Sequence, residues 1–295
     1  LKIASLSECA ARVKQYGAKE REDEPSDSLT DLFEELVPLV QLSREIRRCI
    51  ISEEEFADDA SPTLKHIRRS MVITGERIHS QLNTMVNSTY RTYLQDAVIT
   101  MRNNRYCIPV KSEYKGMVHG MVHDQSKAGS TFFIEPAAIV ELNNKLQELS
   151  IQEQEEIEII LADLSAKASE YTAELTVNQQ NLTKLDFIFA KGGLALELNA
   201  SRPVYHEEKS LHLRQARHPL IDKKKVVPID IRLGKDYDLL IVTGPNTGGK
   251  TVSLKTTGLL SAMGQSGLHI PARDNSELCV FNDIFADIGD EQSIE

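Results

Sequence analysis

No apolar run in this chain approaches the ~20 residues that span a membrane, and no stretch reads as a secretory signal. No membrane partner is expected. Cysteine is scarce: Cys9, Cys49, Cys107 and Cys279 lie far apart, without a CxxC pair. That spacing speaks against a disulfide framework or a thiolate zinc site and fits a reducing, cytoplasmic setting. Positive charge is also in deficit. The formal net charge is −10, which argues against a protein that coats nucleic acid non-specifically. A local basic surface stays open, so charge is read segment by segment. Proline is missing from Ala137 to Arg202, and the chain begins at Leu1 without methionine, so it reads as a piece of a longer one.

What is present is ordinary for a globular protein: 41% hydrophobic and 26% charged residues, over a length of 295 that suits about two domains. The N-terminal stretch reads as a helix ending in a charged linker, Lys19–Pro25. Ser28–Ile51 carries Leu29, Leu32, Phe33, Leu36, Leu39 and Val40 at helical spacing, with Pro38 as a break. Ser61-Pro62 supplies an N-cap and a first-turn proline. The stripe Leu64, Ile67, Met71, Ile78, Leu82 and Met85 predicts a long helix from there to about Val98.

From Val98 to Pro136 the pattern turns to strands, at 106–110, 116–122 and 130–134, separated by turns at Asn103-Asn104, Gly116 and Gly129. A second helix follows, with Leu142, Leu146, Leu149, Ile157, Ile160, Leu164, Ala168, Tyr171, Leu175, Leu182 and Leu185 at helical steps. About fifty such residues reach ~75 Å, longer than an ordinary globular helix. A helix going out, a small sheet at the tip and a helix returning make a lever with a clamp. A helical bundle with a surface hairpin is the alternative.

Beyond Arg202-Pro203 the grammar is α/β, with strands expected at Val226–Ile231, Leu239–Thr243 and Gly267–Ile270 and an apolar run over Val280–Ile288. The expected division is 1–97 and 137–200 for the helical lever, 98–136 for the clamp and 201–295 for the α/β part. Between the expected strand ending at Thr243 and a helix-like run lies Gly244-Pro245-Asn246-Thr247-Gly248-Gly249-Lys250-Thr251. Strand, G-x-x-x-x-G-K-T, then helix is the context of a P-loop. Its glycines let backbone N–H groups turn toward phosphate oxygens, and the helix N-terminus adds its positive end. Lys250 is expected at the β/γ-phosphates and the Thr251 hydroxyl on Mg²⁺, so ATP and Mg²⁺ are the expected ligands.

Hydrolysis needs more than a phosphate cradle. Downstream of Thr251 no run of four apolar residues leads into a paired Asp-Glu. Asp287, Asp290 and Glu291 follow a run interrupted by Asn282 and Asp283 and read as surface carboxylates. No catalytic residue is therefore assigned in this chain. His218, between Arg217 and Pro219, reads as structural. His119 and His123 share a face if the strand is regular, but no third ligand is evident.

The clamp insert holds Arg102, Arg105, Lys111, Lys115 and Lys127 against Glu113, Asp124 and Glu135, a net of +2. Glu141–Glu170 holds eight acids and two lysines, a net of −6. A tip that is basic relative to its shaft suits a phosphate backbone, with Lys111, Lys115 and Lys127 as candidate contacts. An ordinary mixed-charge surface is the other reading.

The phosphate-loop octapeptide, Arg217-His218-Pro219 before it and Gly267-Leu268-His269-Ile270-Pro271-Ala272 after it are similar to the ATPase domain of the MutS family. The tail Phe285–Ile294 resembles the approach to that family's signature loop. Asp96–Arg102 through Phe133–Pro136 resembles the MutS-two branch, the bacterial paralogue with a C-terminal Smr domain. The resemblance covers essentially the whole chain. It implies lever helices with a clamp, leading into an ABC-type ATPase that dimerises head to tail, each P-loop completed by the partner's signature loop. It implies a homodimer bound to branched or double-stranded DNA, suppression of homologous recombination, splitting of collided ribosomes, and nuclease action through the Smr domain. Nuclease action is expected outside these residues, as are the signature serine and the acidic strand. The repair branch stacks an aromatic on adenine where this chain has Val226, which implies packing on the base without a ring–ring term. Two rival readings stay open: a nucleic-acid or ribosome grip whose nucleotide pocket does not hydrolyse, and an ATPase of the wider ABC group.

Overall fold

The structure, a computed structural model, describes residues 1–19, 27–245 and 249–286. By internal contacts the chain divides into Leu1–Asn181 and Leu182–Glu295, each with its own sheet. Its helices are α1 (Lys2–Lys19), α2 (Thr30–Glu34), α3 (Val40–Cys49), α4 (Pro62–Thr84), α5 (Val140–Ser169), α6 (Thr172–Leu198) and α7 (Lys250–Gln265). The linker expected after α1 falls mainly on 20–26, outside the described residues.

In the first unit the break at Pro38 is present, between α2 and α3. Asn178, a fully buried amide, accepts from Val37 N and donates to Val37 O, at 2.8 Å each. These bonds satisfy backbone groups that a chain broken by proline leaves without helical partners. α4 begins at the predicted cap. Ser61 Oγ accepts from Leu64 N at 2.9 Å and donates to Glu156 Oε1 of α5 at 2.7 Å. Arg68 meets Glu153 at 2.7 Å, while Ile78 and Leu82 pack with Ile139, Leu142 and Leu146. Later residues of α4 thus meet earlier residues of α5, and the pair is antiparallel. Ser61→Ala removes a cap and a tie between these helices. Stability should fall by ~1–2 kcal/mol in urea unfolding followed by circular dichroism; an unshifted midpoint would show the cap to be dispensable.

Two helices are shorter than their periodicity predicts. α4 stops at Thr84, followed by a single π-helical turn over Met85–Thr89, well before Val98. Asn87 Nδ2 donates to Asn83 O and Ser88 Oγ to Thr84 O, side-chain bonds that compete with the helix ladder. Val86 and Leu94 then join the core shared with Ile108, Val110 and Ile134. The long helix expected after Ala137 is interrupted at Glu170-Tyr171. There Ser169 Oγ donates to Ala166 O and Thr172 Oγ1 to Ser169 O. Apolar spacing carries across this turn, so the pattern alone reads as one helix.

The sheet of the segment expected as a clamp is antiparallel, in the order β1 (Thr100–Arg102), β2 (Arg105–Lys111), β4 (Thr131–Pro136), β3 (Gly120–Gln125). Asn103 and Asn104, at φ 50° and 58°, form the tight β1–β2 turn, which needs positive φ at both residues. The strand expected at 116–122 is displaced. Ser112–Met117 is a 3-10 turn, and β3 starts only at Gly120, where a Cβ would fall 2.0 Å from Glu135 O. Ile108, Val110, Val118 and Ile134 share one core with Ile78, Leu82, Val86, Leu94 and Ile139.

In the second unit the sheet runs β5 (Val204–Tyr205), β8 (Glu277–Leu278), β6 (Leu211–Ala216), β7 (Ile229–Leu233). β5 and β8 are parallel, and the other pairs are antiparallel. Leu211, Leu213, Ala216, Leu260, Ile270, Ala272 and Leu278 form its core. The expected strand at Val226–Ile231 begins three residues later, as β7. Leu239–Thr243, expected as a strand, is irregular, with Leu239 74% and Ile241 73% exposed. An apolar run of that kind suits a strand buried on both faces, and it needs neighbours to supply the ladder and the cover. Gly267–Ile270 contributes only an isolated bridge, Ile270 to Ser201. Residues 280–286 of the closing apolar run are irregular, and 287–288 lie outside the described residues. The fold is a mixed α/β one, of helices with small sheets.

Candidate functional site

The phosphate-loop motif sits at the start of α7. Gly249 is the helix N-cap at φ 77°, ψ 13°, a left-handed conformation that strains any residue with a Cβ. Nothing lies within 4 Å of an ideal Cβ there, so backbone conformation and not crowding calls for glycine. Lys250 and Thr251 occupy the first turn, where N–H groups have no helical partner and the dipole is positive. Lys250 Nζ donates to Gly244 O at 2.6 Å, which folds the ammonium back toward the first residue of the motif. Gly244, Pro245 and Thr251 are described here and exposed; Asn246, Thr247 and Gly248 lie outside the described residues.

The far end of α7 is fixed by packing. Thr256, Leu260, Ser261 and Gly264 are buried. A Cβ on Gly264 would fall 2.6 Å from Tyr205 Oη and 2.7 Å from Leu278 Cδ1, so the helix lies close on the sheet. Gly267, at φ 76°, donates to Gly264 O, and Leu268 N donates to Met263 O, a pair of bonds that closes the helix C-terminus. Val226 belongs to another turn, with its N–H on Asp222 O at 2.9 Å. His218 Nδ1 accepts from Leu220 N at 3.3 Å within a local turn. Arg217 has a structural duty that the sequence does not signal: its guanidinium donates to Asn199 O at 2.7 Å, at the end of α6.

The clamp, in the first unit, sorts its cations. Arg105 makes two 2.7 Å bonds to the carboxylate of Glu135, which is fully buried. Asn143 Nδ2 donates to Glu135 Oε1 at 2.7 Å, and His123 Nε2 lies 2.5 Å from Oε2. Burial pushes the Glu135 pKa up, but the hydrogen bonds from Arg105, Asn143 and His123 outweigh it, and the net shift is downward. The same surroundings, burial first and the Glu135 charge second, push the neighbouring Cys107 thiol up to about 11. Arg102 pairs with Asp124 at 3.1 Å and lies 3.9 Å over the Phe133 ring. His123 occupies the bulge between Val122 and Asp124, and His119 lies before β3, so the two do not share a regular strand face.

Lys111, Lys115 and Lys127 are different. Among the described residues none of the three has a carboxylate partner. Lys111 ends β2 opposite Thr131, which begins β4. Lys127 lies in the β3–β4 turn, where Ser130 O accepts from Ser112 N at 3.0 Å. Lys115 is in the 3-10 turn that follows Lys111, its Nζ 4.3 Å from the Phe132 ring centroid. All three therefore gather at one end of the sheet, away from the internally neutralised Glu135 cluster. Sequence counting gives Arg102 and Arg105 the same weight as these lysines, because it cannot see which cations are already paired.

Among the described residues no helix is long and apolar enough to cross a membrane. The family model for MutS domain V matches residues 240–295. Over its whole length the chain is 60% identical to an endonuclease MutS2 of Agathobacter rectalis and 56% identical to one of Lachnoclostridium phytofermentans. Over 99% of its length it is 48% identical to an endonuclease MutS2 of Clostridioides difficile. The chain spans 37%, 38% and 37% of those relatives' lengths, respectively.

Proposed function

Because this chain belongs to the MutS family, in the branch of its MutS2 relatives, we propose that it forms the clamp, lever and phosphate-loop region of an ATP-dependent DNA-binding protein. The observation that carries the nucleotide half is the left-handed Gly249 cap with Lys250 folded over Gly244 O. That arrangement fits a polyphosphate: the first-turn N–H groups of α7 and the Lys250 ammonium lie at the same, positive end of the helix. Gly244 to Thr251 would hold ATP, Thr251 would carry Mg²⁺, and Val226 would pack on the base. Catalytic groups for hydrolysis are assigned to no residue of this chain, and a homodimer partner would complete the site. The endonuclease activity in the relatives' name is assigned elsewhere in the protein.

Lys111, Lys115 and Lys127 carry the nucleic-acid half. Unpaired ammoniums at one end of a sheet can meet phosphate backbone without reading bases. Branched DNA is the proposed target, suppression of homologous recombination the proposed role, and the cytoplasm the proposed location. Collided ribosomes present the same backbone chemistry, so the deciding experiment is a competition. Labelled four-way junction is challenged with linear duplex and with collided ribosomes, and junction-selective retention supports the DNA target. Charge reversal of the three lysines together should weaken junction binding and flatten its salt dependence by about three counterions' worth. An unaltered affinity and salt slope would remove the clamp from the contact surface.

A further inference from the structure

The lysine end of the clamp also carries a row of rings. Leu94 bridges Val110 in antiparallel register, which sets Tyr93 beside Lys111. The Tyr93 and Tyr114 ring centroids are 5.2 Å apart at an interplanar angle of 37°, and Tyr90 extends the row at 6.5 Å from Tyr93. Tyr114 immediately precedes Lys115, whose ammonium lies over Phe132. These four residues pack against the core and are half-buried, not enclosed by it. Glu113 is the one acid within the Ser112–Met117 turn, and Asp124 is already paired with Arg102.

Backbone-only contact needs the lysines alone. Interleaved rings and ammoniums are what unpaired nucleotides call for, because each base offers a π-face to stack and each phosphate a charge to neutralise. A peptide partner would have to match three ammoniums with carboxylates and still cover flat rings, which is a narrower requirement. Resting on the nucleic-acid reading of the clamp, we infer that Tyr93, Tyr114 and Phe132 form a stacking platform for single-stranded nucleotides, with Lys111, Lys115 and Lys127 on their phosphates. The platform takes the unpaired bases of a strand, as DNA or as RNA, and tolerates sequence because every base can stack.

The test compares the full chain binding oligothymidylate, oligouridylate, an abasic phosphodiester of equal length and a blunt duplex. The chain has no tryptophan, so its intrinsic emission comes from its eight tyrosines, and the part that Tyr114→Phe removes is the part due to the ring at 114. Base-bearing strands should bind about tenfold more tightly than the abasic one and quench tyrosine emission where the abasic strand does not. Tyr114→Leu should remove at least about fivefold of that preference and leave abasic binding unchanged, while Tyr114→Phe, which keeps the ring, should retain it. Comparable loss with DNA and RNA supports a platform indifferent to the sugar. Equal affinity for abasic and base-bearing strands would overturn the platform while leaving backbone contact standing. Failure to bind any strand, duplex or junction would overturn the nucleic-acid reading beneath it.

Discussion

Lys250→Ala should abolish ATP binding measured by titration calorimetry. Lys250 is the first residue of α7, and its ammonium reaches back to Gly244 O, at the other end of the loop. A phosphate seated on the loop would exchange that neutral carbonyl acceptor for a charged oxygen. Such bonds contribute ~1.5–3 kcal/mol each, and one ammonium can make more than one of them. A loss of about 10²-fold or more in affinity follows, enough to remove a heat signal at ordinary concentrations. The side chain is only partly buried, and α7 is fixed to the sheet through Thr256, Leu260 and Gly264, so the thermal midpoint should hold. An affinity unchanged by the substitution would end the phosphate-binding assignment of the loop.

What the sequence discloses about this fold is its local chemistry. Ser61-Pro62 caps α4, Pro38 separates α2 from α3, and Asn103-Asn104 turns β1 into β2, each through groups within a few residues of each other. The stretches it misreads depend on what lies across the fold. Met85–Thr89 leaves the helix because Val86 and Leu94 are drawn into the clamp core, although apolar spacing continues. The Ser169 and Thr172 hydroxyls interrupt a run whose apolar residues keep helical phase. Leu239–Thr243 has the composition of a buried strand, but composition cannot say whether neighbours reach it. The start of α7 was legible because its demands are local: a left-handed glycine, then a helix start with lysine and threonine. The clamp's sorting of paired and unpaired cations was not, since Arg105 and Asn143 reach Glu135 from 30 and 8 residues away.

Glu135→Ala should produce the largest loss of stability in the first unit. Its carboxylate is fully buried and accepts from Arg105 twice and from Asn143, with His123 against its second oxygen. Deleting it strands a guanidinium that is only 20% exposed and leaves Asn143 and His123 short of an acceptor. Breaking a buried pair on one side costs ~3–5 kcal/mol, far more than the pair contributes when both sides are replaced together. Urea unfolding of the full chain at neutral pH measures this, and a loss below ~1 kcal/mol would show that the cluster relaxes into water. Acid gives an independent reading. The Glu135 pKa is lowered on folding, so its contribution is complete above the ordinary value of 4.5 and is lost as the pH falls toward the folded value. In the parent chain, stability should therefore decline with acidification below that point, and in the Glu135→Ala variant the decline should be shallower. Because Arg105 is tied to Asn144 Oδ1 at the head of α5 as well as to Glu135, the same substitution loosens the sheet from the helix that carries it. Loss of binding at the lysine end should then accompany the loss of stability, even though Glu135 touches none of those lysines.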